Sequence, residues 1–143
     1  MKASETRRGF LASAGAVAAI LILPPGLWAL SARHGHAAGP HPTPRKGITG
    51  AKVAKREDLP ADSPAIVALF DAVRQIPAVF DGIRCNCGCS TTPGFYSLLS
   101  CYEGDAMAVD CKICQGQGRL VVRLNKSGKS LDQIREAVDA QFG

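Results

Sequence analysis

Six cysteines lie between positions 85 and 114, spaced Cys85-x-Cys87-x-Cys89, eleven residues, Cys101, nine residues, Cys111-x-x-Cys114. The rest of the chain has none. Thiolates are ligands for soft or borderline ions. A tetrahedral Zn²⁺ takes four of them at about 2.3 Å. Cys-x-x-Cys delivers two thiolates to one ion, because its turn puts both sulfurs on one side. Cys-x-Cys chelates or lets a sulfur bridge neighbouring ions, and Gly88 gives that trio backbone freedom. The three histidines all precede the cysteines, and Met107 is the only methionine beyond the N-terminal run. The donor set is therefore sulfur. It favours Zn²⁺ or Cu⁺ and disfavours Mg²⁺ or Ca²⁺. The expected ligands are Cys85, Cys87, Cys89, Cys111 and Cys114, with Cys101 as a further donor.

The same residues support two other chemistries. Six thiols can close three disulfides, which persist in an oxidising compartment. Cysteines one residue apart rarely pair with each other, so such bridges would run from the trio to Cys101, Cys111 and Cys114. The protein would then be a disulfide-stapled interaction module. Alternatively, if Cys111 opens a helix, the helix N-terminus lowers its pKa. Cys111 and Cys114 would then be the reactive pair of a thiol-disulfide redox protein. The βαβ pattern of a thioredoxin fold is missing.

Other chemistry finds little support, and an enzyme is not the favoured reading. No phosphate loop or dinucleotide-binding glycine pattern is present. His41 is the one histidine expected after export, so a Ser/His/Asp set cannot form. Cys-x-x-Cys-His is absent, which excludes covalent c-type haem. Asp105 and Asp110 flank the cluster and read as a solvated loop face. Phe95, Tyr96 and Tyr102 read as packing residues, and Gly116 and Gly118 as room for close packing.

The 143 residues carry a net charge of +5, distributed unevenly. Residues 1–37 have four basic residues and one acidic, and residues 38–60 have five and two. Residues 61–143 have eight basic and nine acidic, so a nucleic-acid surface there has no electrostatic support.

Helices must position the cysteines. Ser63-Pro64 is a helix start, and Ile66, Val67, Phe70 and Val73 recur at helical spacing, predicting a helix over 64–76 that Pro77 ends. Ser130 and Gln133 form a capping-box pattern ahead of Leu131, Ile134, Val138 and Phe142. A third helix is predicted from about Cys111 to Asn125, stopping near Gly128. Its Gly116 and Gly118 cost about 1 kcal/mol each relative to Ala. Residues 82–108 have turn formers and no period, which suggests an irregular loop with room for one short strand. The expected fold is mainly α: a small cysteine-rich domain of about three helices, residues 61–143, with a long ordered cysteine-containing loop. A loop of this length in so small a domain needs staples, and the cysteines are the visible candidates. Residues 38–60, with four prolines and three glycines, are expected as an extended basic linker. His41, with His34 and His36, is read there as solvated rather than as a metal ligand.

Cys111-Lys-Ile-Cys114-Gln-Gly116-Gln-Gly118 resembles one repeat of the Hsp40 zinc domain, which uses four. A wider likeness covers residues 63–143. Cys85-Asn-Cys87-Gly-Cys89, Cys101, Cys111-x-x-Cys114 and Gly128-Lys-Ser130-Leu-x-x-Ile134-Arg135 resemble the bacterial PCYCGC-motif family, also called CYCXC-type (seleno)proteins. Arg84 and Asn86 stand where the name motif has proline and tyrosine. The resemblance implies a small exported or lipid-anchored protein whose cysteines serve sulfur reactivity or soft-metal affinity.

Thr6-Arg7-Arg8-Gly9-Phe10-Leu11, followed by an apolar run to Leu30, resembles a twin-arginine (Tat) export signal. Residues 1–37 would be that signal, with cleavage after Ala37 or near Ser31 and Ala32. Pro24-Pro25 argues against a membrane anchor. The implied partner is the Tat translocon, which exports cargo already folded. The implied location is across the cytoplasmic membrane, in the periplasm or cell envelope, and anchored there if the signal is not cleaved. The folded domain itself is not expected to span the membrane.

Overall fold

The computed structural model describes residues 39–143. The expected signal, with Arg7, Arg8, His34 and His36, lies outside these residues. Four α-helices occur among the described residues: α1 (Pro64–Gln75), α2 (Pro77–Asp81), α3 (Lys112–Lys126) and α4 (Leu131–Phe142). No strand occurs among the described residues. The short strand considered for the loop is replaced by 3-10 turns and one antiparallel bridge, Val53 to Glu103. No helix among them is long and apolar enough to cross a membrane.

The helix ends follow from local chemistry. Pro64 takes the first position of α1, where its missing N–H costs nothing. The Ser63 hydroxyl makes no cap and instead donates to Asp62. At α4, Gln133 N–H donates to Ser130 Oγ, and Ser130 N–H donates to Gln133 Oε1, closing the capping box. Gly128, at φ +73°, ends α3. There Lys129 N–H reaches Leu124 C=O and Gly128 N–H reaches Asn125 C=O, the paired bonds of a Schellman stop.

The apolar faces of α1, α3 and α4 meet, with α3 between the other two. Phe70 of α1, Phe80 of α2 and Tyr102 of the loop are fully buried, each worth about 1.5–3 kcal/mol of transfer free energy. Their rings meet edge to face, with centroids 4.9 Å and 5.4 Å from Tyr102. The Tyr102 hydroxyl donates to Cys114 C=O at 2.7 Å. This bond spans the gap left by Gly118, where a Cβ would collide with that hydroxyl and sit 3.1 Å from Cζ. Gly116 likewise makes room for the Phe142 ring. The two glycines that weaken α3 on propensity let it pack.

Residues 39–60 differ from the free spacer expected of their composition. Their backbone is largely extended at first, then forms two 3-10 turns, but it lies against the helices. Asp81 is fully buried, and Arg45 meets its carboxylate through Nε, Nη2 and the backbone N–H. Ser97 Oγ also donates to Asp81. These donors outweigh burial and hold the Asp81 carboxyl below its ordinary value. Arg135 of α4 donates to Pro42 C=O and Gly82 C=O, and Tyr96 donates to Thr43 C=O while carrying Arg45 over its ring. Val53 and Leu59 join the core. Prolines cannot form a ladder of their own, so donors from distant elements satisfy this backbone.

His41 is correspondingly not solvated. Its Nδ1 accepts from Arg84 N–H at 3.0 Å, which leaves Nε2 to donate to Asp139 at 3.1 Å. Burial holds its pKa below the ordinary value despite Asp139.

The Gly118 packing gives a prediction opposite to helix propensity. Gly118→Ala should destabilise the protein by about 1–3 kcal/mol, as overpacking does, although Ala is the better helix former. Chemical denaturation checks the sign; a stabilised variant would contradict the packing argument.

Candidate metal centre

Four cysteines from three separate segments converge. The Sγ atoms of Cys85, Cys87, Cys101 and Cys114 all lie within 4.8 Å of one another. Cys85 and Cys87 follow α2, Cys101 sits in the 3-10 turn Leu98–Tyr102, and Cys114 lies in the first turn of α3. Cys101 and Cys114 are fully buried, Cys85 nearly so, and Cys87 half-buried. Cys85 Sγ is 3.1 Å from Cys87 and 3.6 Å from Cys114, and Cys87 is 3.5 Å from Cys114. A tetrahedron of sulfurs around one ion at about 2.3 Å has edges of about 3.8 Å. The four sulfurs are thus positioned to bind a single metal ion.

The other two sit beside this set. Gly88, at φ +91°, turns the chain, and Cys89 Sγ then lies 2.9 Å from Cys87 Sγ. Cys111 is the N-cap of α3 and accepts from Cys114 N–H at 3.4 Å. All six cysteines are free thiols.

Neighbouring side chains hold the ligand loop. Arg84, buried beside the first ligand, donates to Asn86 Oδ1 at 2.9 Å, to Asp139 Oδ1 at 2.8 Å and to Gly39 C=O. Asn86 N–H donates to Gln117 Oε1 at 3.2 Å, across to α3. Gln115 donates to Val109 C=O at 2.7 Å and ties the preceding loop to the same helix. Asn86 Nδ2 and Gln117 Nε2 are buried donors without a partner. Asn86 stands between Cys85 and Cys87 and Gln117 three residues after Cys114, so the ligand-bearing segments carry spare buried donors, which favour negative charge. The N-terminus of the 15-residue α3 acts in the same direction. Sequence reasoning missed Arg84, Asn86, Gln115 and Gln117. The available signal was the pair of amides, Gln115 and Gln117, that bracket Gly116 directly after the last cysteine.

Packed this closely, the four thiols cannot all ionise without a cation. Hydrogen bonds from Cys101 and Cys114 hold Cys85 well below the usual thiol range. Cys114 is pushed up, first by its bonds with Cys101 and Cys85 and then by burial. Burial raises Cys87, reinforced by Cys89 and Cys85. At Cys101 the Cys114 bond favours the thiolate, but Cys85 and burial outweigh it and the pKa rises. Cys85 is thus the thiol most readily ionised, and the other three hold their protons more tightly.

The remaining residues considered from sequence lie elsewhere. Asp105 and Asp110 are exposed, and Met107 points away from burial at 42% exposure. His41 has both ring nitrogens engaged away from the cysteines. Comparison with family models, with curated proteins and with solved structures found no match.

The proton inventory is testable. Binding one divalent ion to the reduced protein at pH 7 should release protons, chiefly from Cys87, Cys101 and Cys114, and affinity should rise with pH because these raised thiols must give up their protons to bind. Calorimetry in two buffers of different ionisation enthalpy reads the count. Release of fewer than about one proton per ion would contradict this description of the thiols.

Proposed function

We propose that this chain is an exported soft-metal-binding protein that holds Zn²⁺, or failing that Cu⁺, through Cys85, Cys87, Cys101 and Cys114. The observation that carries the reading is the convergence of four sulfurs from three segments within 4.8 Å. Charge favours Zn²⁺ over Cu⁺. Four thiolates around Zn²⁺ leave two net negative charges in a mostly buried site, and around Cu⁺ they leave three. Tetrahedral all-sulfur coordination also suits zinc. The Thr6-Arg7-Arg8 signal supports loading before export, because a Tat cargo folds where thiols stay reduced. The likeness to the PCYCGC-motif family supports an envelope location. The bound ion would then contribute folding free energy and protect the thiols from oxidation outside the cell.

One observation favours a second reading, thiol-disulfide exchange at Cys111 and Cys114. Cys111 caps α3 and is half-buried. Burial opposes its ionisation, but N–H donors from Cys114 and Ile113 hold its thiol below the ordinary value. Alkylation of Cys114 together with metal content separates the two readings: the redox protein is metal-free with Cys114 open to reaction once reduced, whereas bound metal shields Cys114 as a ligand.

Cys87→Ser and Cys114→Ser should each lose the bound ion and most of the helicity. Metal analysis with far-ultraviolet circular dichroism checks this. Retention of metal and helicity in both variants would overturn the proposal.

A further inference from the structure

One ion leaves Cys89 and Cys111 without a role, yet both lie against the proposed site. Cys89 Sγ is in contact with Cys87 Sγ at 2.9 Å, and the residue is buried, 8% exposed. Cys111 Sγ accepts from Cys114 N–H at 3.4 Å, at the start of α3. Cys85 and Cys101 lie with Cys87 and Cys114 in the four-sulfur set, and each end of the 3.5 Å edge between Cys87 and Cys114 has one further cysteine beside it, Cys89 next to Cys87 and Cys111 next to Cys114.

We propose that the six cysteines hold two divalent soft-metal ions, with Cys87 and Cys114 as bridging thiolates. Cys85 and Cys101 complete one ion, and Cys89 and Cys111 complete the other. This deepens the metal-binding reading above and rests on it. Two bridging and four terminal thiolates give each ion four sulfurs, so six cysteines saturate two tetrahedral centres. The charge is also balanced. A second divalent ion brings two positive charges and converts the Cys89 and Cys111 thiols to thiolates. The net charge of the cluster is then the same as with one ion and four thiolates, and two protons leave to solvent. The second ion adds coordination without adding buried charge. Cys111-x-x-Cys114 chelates this second ion from the first turn of α3, and the left-handed turn at Gly88 brings Cys89 back toward Cys87.

The test uses the full chain, reduced and anaerobic, loaded with an NMR-active isotope of Cd²⁺. Native mass should show two Cd²⁺ per chain. The cadmium spectrum should show two tetrathiolate resonances, each split by coupling to the other through the shared sulfurs. Cys89→Ser and Cys111→Ser should each retain one Cd²⁺ and give a single unsplit resonance. A wild-type chain with one Cd²⁺ and one unsplit resonance would overturn the second ion and leave the four-cysteine site standing. Two uncoupled resonances would overturn the bridge. A chain that takes up no Cd²⁺ would remove the metal-binding reading and this inference with it. The wild-type spectrum decides the matter even if a serine variant fails to fold.

Discussion

Mutual repulsion among closely packed thiolates is the constraint on which the rest of the structure depends. Four sulfurs within 4.8 Å, largely shielded from water, resist carrying four charges. Hydrogen bonds among the thiols relieve this in part by concentrating the charge on Cys85. A cation bound among them relieves it further. The fold around the cluster follows the same electrostatics. The positive end of the α3 dipole lies at Cys111 and Cys114, and Asn86 and Gln117, in the ligand-bearing segments, keep buried amide donors without a partner.

The scaffold transmits this arrangement through few elements. α3 is central, because it carries Cys114 and packs on both α1 and α4. Tyr102 follows Cys101 in sequence and bonds to the carbonyl of Cys114, so one aromatic residue fixes two ligand segments together. Gly118 makes the approach possible. On the other side, Arg84 precedes Cys85 and is held by Asp139 of α4 and by the chain at Gly39. The N-terminal segment thus acts as a brace for the ligand loop through Arg84, His41 and the Arg45–Asp81 pair.

The helices were legible because their signals are local. Pro64, Pro77, Gly128 and the Ser130–Gln133 box each act within a few residues, and the stripes of α1 and α4 repeat at short range. α2 was not anticipated between the helix ending at 76 and the loop beginning at 82, since its five residues, Pro77–Asp81, are too few to carry a period. The brace at residues 39–60 was not legible either. Arg45 finds Asp81 36 residues away and His41 finds Asp139 98 residues away, and composition says nothing of such pairs. The cysteines were visible as a set of possible ligands. Their division into a group of four with two neighbours depends on the reversal at Gly88 and the docking of Cys101 under α3, which linear spacing does not encode. Arg84 and Asn86, noticed only as departures from a family motif, make the polar contacts that orient the ligand loop.

The central claim is that these thiols exist to hold metal rather than to pair with one another. The most direct measurement is the native mass of the full chain, folded in a reducing cytoplasm, purified anaerobically, then weighed again after exposure to air. The account predicts a mass gain equal to bound metal in the first sample that persists in the second. A metal-free first sample that loses hydrogens in air, as its thiols join into disulfides, would contradict it.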